Sequence, residues 1–158
     1  MGIPAHPLLI HAAVVFVPLL ALVAIAYAFV PLVRPHTRWV LGLLAVGAPI
    51  STLLSKLSGD AFFDRMAAAG RITEEFYPTI ENHQQLGNMT LFATIILGIV
   101  TLALVYFVGP RVAAAGAAGR GRILPLVLQV LTVIAAGLSL YYVIRTGDSG
   151  SKAVWTGS

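Results

Sequence analysis

Four long stretches of this chain carry no formal charge at all. Residues 8–30, 39–55, 89–108 and 123–144 contain no Asp, Glu, Lys or Arg. Each approaches the ~20 residues that an α-helix needs to cross ~30 Å of hydrocarbon. A helix in a soluble domain keeps one polar stripe for water, and these stretches have none. The pattern predicts an all-α, polytopic membrane protein, a single antiparallel four-helix transmembrane bundle over residues 1–158.

Composition agrees and narrows the function classes. Charged residues are 10% of the chain and hydrophobic residues 58%, against ~25% charged in ordinary globular proteins. The excess of Lys and Arg over Asp and Glu reads as membrane topology and not nucleic-acid binding. No basic run exceeds two residues, and aromatics do not alternate with the basic ones as on a single-strand platform. Cysteine is absent, which excludes thiol catalysis, disulfides, thiolate-held zinc and iron–sulfur centres on this chain.

The spans are expected at about 9–31, 38–57, 86–109 and 123–144, with an outer loop at 58–85 and an inner loop at 110–122. Pro7 suits a helix start, and Pro31 and Pro35 suit a stop. Pro18 and Pro49 fall inside spans 1 and 2, where each leaves one carbonyl for a neighbouring helix to satisfy. Gly59 is expected to end span 2, and Gly147 and Gly150 to bracket a turn after span 4. The first span lacks a basic leader and is expected to be retained.

Arg34 and Arg38 crowd one short connection, and Arg111, Arg120 and Arg122 another. The positive-inside rule puts both connections in the cytoplasm and both termini outside, in a bacterial inner membrane. The glycine- and alanine-rich 111–122 segment reads as a flexible loop. Trp39, Tyr141, Tyr142 and Trp155 suit interfacial belts.

Small residues recur along span 2 (Gly47, Ser51, Ser55), span 3 (Gly87, Thr90, Thr94, Gly98, Thr101) and span 4 (Ala135, Ser139). Such faces let membrane helices approach closely. They predict a compact bundle, with a polar path or cofactor slot as the functional alternative. The spans hold no mid-depth charge, which weighs against a proton or ion carrier.

What chemistry the chain offers gathers at the outer end. His6, His11 and His83 are expected there, with Glu81 near His83. Asp60, Asp64 and Asp148 form a polar cap, and Lys56 pairs with Asp60 only if the helix continues through Gly59. His36 lies between inner arginines. Imidazoles and a carboxylate suit a transition metal, and two histidines from different helices suit a b-type haem. His11 and His83 are the expected axial ligands, with His6 or Glu81 behind them. The bland alternative is an interfacial histidine hydrogen-bonded to a carbonyl or to Glu81. Ser149 is not a nucleophile elbow, since the GxSxG spacing is absent.

The opening AHPLLIHAAVVFVPL, the SGDAFFD knot, the ENHQQLG entry and the RTGDSGSKAVW tail together resemble a bacterial family of small four-span membrane proteins, catalogued as domain of unknown function 2231. The resemblance covers nearly the whole chain. It implies an inner-membrane protein, and the joining of some relatives to Rieske-type domains implies electron transfer. It marks His6, His11 and His83 as motif residues. Some relatives carry a histidine where this chain has Asp148.

Three readings follow. The first is an electron-transfer component holding haem or a metal near the outer face and serving a membrane or periplasmic redox partner. The second is a cofactor-free structural or accessory subunit of a larger membrane complex. The third is a small-solute transporter. No catalytic activity of its own is expected.

Overall fold

The computed structural model describes residues 5–109 and 123–156. Four helices cover nearly all of them: α1 (Ala5–Phe29), α2 (Arg34–Ala68), α3 (Tyr77–Phe107) and α4 (Ile123–Thr156). The expected inner loop 110–122 and the side chain of Trp155 lie outside the described residues. All four helices are long and apolar enough to cross a membrane. The all-α four-helix bundle stands, with no strand among the described residues.

The chain turns sharply at the inner end. Pro31 opens a short 3-10 turn, Pro31–Val33, that separates α1 from α2. Arg34 closes the end of α1, its Nε donating to the Tyr27 carbonyl (2.9 Å) and its Nη2 to the Ala28 carbonyl (2.8 Å). Gln129 of α4 donates to the same Ala28 oxygen at 2.8 Å. A basic group on the last carbonyls also complements the helix dipole.

The outer end departs from expectation. Gly59 does not stop α2, which runs on to Ala68. The true stop is Gly70, with φ +64°. The Arg71 N–H reaches the Met66 carbonyl and the Gly70 N–H reaches that of Ala67, both at 3.0 Å, which is the Schellman pattern. Gly147 and Gly150 likewise bracket no turn and sit inside α4. Propensity alone misplaces these boundaries because a glycine inside a helix costs only ~1 kcal/mol, which packing readily offsets. The expected loop 58–85 thus shrinks to the few residues between Ala68 and Tyr77. At 1.5 Å per residue, α2 with its 35 residues is about 52 Å long. That overshoots the hydrocarbon by about 20 Å, so α2, α3 and α4 project as a helical cap.

α1 pairs with α2 and α3 with α4. Contacts of α2 with α3 and of α4 with α1 close the ring, and α1 touches α3 across the diagonal. The two hairpins repeat one pattern. A shift of 77 residues carries buried Ala13, Val17, Leu20, Ala21, Ala24 and Tyr27 of α1 onto buried Thr90, Thr94, Leu97, Gly98, Thr101 and Leu104 of α3. A shift of 91 carries buried Leu41, Leu44, Ala45, Ala48 and Thr52 of α2 onto buried Thr132, Ala135, Ala136, Ser139 and Val143 of α4. The outward faces are apolar, with Leu22, Leu43, Ile99 and Ile144 all exposed, as a lipid-facing surface requires.

The hairpins meet most closely at Gly98. A Cβ there would stand 2.5 Å from the Ala45 carbonyl oxygen and 3.2 Å from Pro49 Cγ. Pro49 has no N–H, so Ala45 loses its helical donor, and Gly98 brings its Cα hydrogens against the freed oxygen. A Cα–H···O contact contributes ~0.5–1 kcal/mol. Hydroxyls nearby are returned to their own helices: Ser51 and Thr52 to the Ala48 carbonyl, Thr94 to that of Thr90, Thr132 to that of Leu128. Replacing Gly98 with Ala should destabilise the bundle by roughly 1–3 kcal/mol. Gly47→Ala, with nothing within 4 Å of the new Cβ, should be neutral or slightly stabilising. Denaturant titration of both variants in mixed micelles separates the two outcomes.

Candidate functional site at the outer cap

The repeat extends into the cap, and there it positions imidazoles. The same shifts carry His6 onto His83, Leu9 onto Leu86, Ser55 onto Thr146, and Ser58-Gly59 onto Ser149-Gly150. His6 stands in the first turn of α1 against α2, with Nδ1 3.0 Å from Ser58 Oγ. His83 stands near the start of α3 against α4, with Nδ1 2.8 Å from Ser149 Oγ.

Each ring lies over a glycine. A Cβ on Gly59 would come within 2.9 Å of His6 Cε1, and one on Gly150 within 2.9 Å of His83 Cε1. Gly59 and Gly150, both inside their helices, make room for the imidazoles. Phe62 stacks on His6 with ring centroids 6.2 Å apart.

Donor accounting fixes both tautomers. Ser58 gives its one hydroxyl proton to the Ser55 carbonyl at 2.8 Å, and Ser149 gives its own to the Thr146 carbonyl at 2.9 Å. Each Oγ therefore faces its imidazole as an acceptor. The proton of both rings sits on Nδ1, and Nε2 keeps its lone pair. Ser55 Oγ also reaches the Leu9 carbonyl at 2.9 Å, tying α2 to α1. In the second hairpin the tie has one more member. Thr90 donates to the Leu86 carbonyl at 2.9 Å, so its oxygen accepts from Thr146 Oγ1 at 2.7 Å.

The charge-free apolar runs of α1 and α3 cover residues 8–30 and 89–108, and both histidines precede them. Burial holds the His6 imidazole below its usual range, against the opposing pull of the Ser55 carbonyl and of Asp60. Burial also holds His83 low, and the positive charge of His6 adds to the effect, against the Thr146 carbonyl.

The remaining expected residues do not join them. His11 is exposed: five residues past His6 on one helix puts it about 140° around the axis. Glu81 and Asp64 are exposed as well. Among the described residues, no three His, Cys, Asp or Glu side chains gather as a metal-ligand group. Asp60 pairs with Lys56, because α2 does continue through Gly59. Asp148 pairs with Lys152 at 2.8 Å, and that hydrogen bond holds its carboxyl below the ordinary carboxylate range. His36 is exposed at the other end.

Two recesses open on the cap. One, of about 370 Å³, is lined by Phe63, Ala67, Ile72, Thr73, Glu74 and Tyr77, with Phe63 and Tyr77 edge to face at 6.0 Å. The other, of about 300 Å³, lies between α3 and α4 and includes Pro78, Asn82, Arg145, Asp148 and Lys152. Comparison with protein-family models, with curated proteins and with solved structures finds no match. None of these comparisons places the chain in a family.

Because both imidazoles are held below the free value of about 6.5, the folded cap binds fewer protons than the unfolded chain. Stability should be full above that value and fall as pH drops from it through the depressed folded values. Unfolding midpoints in mixed micelles at about pH 7.5 and about pH 5 should show the loss. The His6→Gln/His83→Gln double variant should flatten it.

Proposed function

We propose that this protein is a structural or accessory subunit of a larger membrane complex, and that its helical cap docks a partner at the outer face. The observation that carries this reading is the contrast between the two ends of α2, α3 and α4. Within the lipid the helices close on one another at Gly98 and Ala45. Beyond it they continue as rigid rods with two recesses and all six acids of the chain: Asp60, Asp64, Glu74, Glu75, Glu81 and Asp148. Packing surface and a charged platform are what an accessory subunit supplies. A transporter draws no support from a centre sealed by a backbone contact. Haem ligation by His11 and His83 draws none from the exposed position of His11 on α1.

The reading includes both termini outside a bacterial inner membrane. In this cysteine-free chain, Ala69→Cys should react with an impermeant thiol reagent from outside and His36→Cys should not. The reverse pattern would invert the orientation.

The functional test is crosslinking in native membranes followed by affinity capture. A stoichiometric partner is expected. Replacing Tyr77 with Ala together with Glu74→Lys, at the first recess, should reduce its recovery severalfold while membrane insertion stays unchanged. Recovery of the chain only as a monomer or simple homo-oligomer would refute the accessory role.

A further inference from the structure

The shifts that relate the two hairpins also mark a place where the hairpins part. A shift of 91 sets Arg145, Asp148 and Lys152 of α4 against Leu54, Leu57 and Ala61 of α2, and a shift of 77 sets Asn82 of α3 against Ala5 of α1. Ser149 and Leu86, beside them, keep their counterparts Ser58 and Leu9. Leu54 and Leu57 are exposed on α2, so the shared framework accepts aliphatic side chains at these positions. The polar replacements in the second hairpin serve something other than the fold.

They gather on the recess of about 300 Å³ between α3 and α4, whose walls include Thr79, Asn82, Leu86, Arg145, Asp148 and Lys152. Its charges do not cancel. Lys152 is held by Asp148 at 2.8 Å, which leaves the Arg145 guanidinium as the excess positive charge. The side chains of Thr79, Asn82 and Arg145 make no hydrogen bond among the described residues. A planar fork of N–H groups, an amide and a hydroxyl therefore stand together as donors. A guanidinium with neutral donors beside it is complementary to a phosphate, which the fork grips through two oxygens.

The position of the recess identifies what carries the phosphate. Arg145 directly follows the charge-free run 123–144 of α4, and a charge at the end of such a run reaches for the headgroup level. Toward the bilayer centre, Tyr141, Leu138 and Ile134 continue the Arg145 stripe of α4, and Met89 and Ile96 continue the Asn82–Leu86 line of α3. All five are exposed, so lipid-facing surface runs on directly from the recess. We propose that the recess binds one anionic phospholipid, its phosphodiester on Arg145, Asn82 and Thr79 and an acyl chain along the seam of α3 and α4. The excess positive charge selects a headgroup that is uncharged beyond the phosphate, as in phosphatidylglycerol, over one that carries its own ammonium.

The test uses delipidated full-length protein in a nonionic detergent. It is titrated in parallel with dioleoyl phosphatidylglycerol, dioleoyl phosphatidylethanolamine, inorganic phosphate and glycerol 3-phosphate. Native mass spectrometry counts the bound molecules, and the thermal unfolding midpoint follows occupancy. The expected result is one phosphatidylglycerol per chain, held severalfold more tightly than phosphatidylethanolamine, with a rise in midpoint that neither soluble phosphate reproduces. Arg145→Gln should weaken binding by about ten- to a hundredfold. Arg145→Lys, which keeps the charge and loses the fork, should weaken it severalfold, as should Asn82→Ala. Asp148→Asn adds one positive charge to the recess and should tighten binding. Arg65→Gln, at an exposed arginine of the same cap on α2, should change nothing. Circular dichroism identifies any variant that has lost its helices, and Asn82→Ala and Asp148→Asn keep the test decisive if Arg145→Gln does. The proposal is overturned by equal affinity for the two lipids, by soluble phosphate binding as tightly as the lipid, or by unchanged binding in a folded Arg145→Gln variant. An equal loss in Arg65→Gln would overturn it as well, since diffuse charge would then account for the attraction. Partner capture through the first recess is a separate readout, so the accessory role stands or falls independently.

Discussion

Inside a bilayer an unpaired carbonyl has no water to turn to, and Pro49 creates one at Ala45. The packing of the two hairpins follows from how that oxygen is covered. Only a residue without a side chain can approach it, and Gly98 does so. Once α3 is seated on α2 at that level, the heights of the other small residues are set. Alanines such as Ala135 and Ala136 on α4 and the back-bonded hydroxyls of Thr94 and Thr132 line the remaining contacts. The hydrophobic effect contributes little here, because lipid tails are as apolar as leucine. Close approach and satisfied backbone groups replace it.

The second organising fact is the repetition of a hairpin within one chain. Both hairpins bury corresponding positions, and both place a histidine, a serine and a glycine at the same level of the cap. The halves differ where one side chain changes the route of a hydrogen bond. Ala13 leaves the Leu9 carbonyl open to Ser55 directly. Thr90, its counterpart, interposes its own hydroxyl, so Thr146 reaches the Leu86 carbonyl through it. The acceptor is conserved in position while the donor path lengthens by one atom pair.

Charge-free runs are a strong signal because burying a charge in hydrocarbon is so costly, and the four spans could be read from them directly. The small-residue faces were equally legible. The cap was not. Gly59, Gly147 and Gly150 carry local signals for ending a helix, and they were overridden by inter-helix packing that no local window contains. The surroundings of the histidines were hidden for a related reason. His11 and His6 compete for the same role in a linear reading, and only the facing helix, with Ser58 and Gly59 in register, distinguishes them. One signal was available: the dipeptide Ser-Gly occurs at 58–59 and again at 149–150, each on the helix that follows a histidine-bearing one.

The unbroken course of α2 has a mechanical meaning. From Arg34 to Ala68 it has no glycine-rich joint or loop at the lipid boundary, so the cap and the membrane segment form one stiff lever. The point of least resistance along it is Pro49, where the helical ladder lacks a rung. A sideways load applied near Ala68 would be felt as bending there, at the level where Gly98 rests on Ala45. The cap is thereby geared to the centre of the bundle, and the distance between the two hairpins becomes a quantity that an object bound outside the membrane can displace.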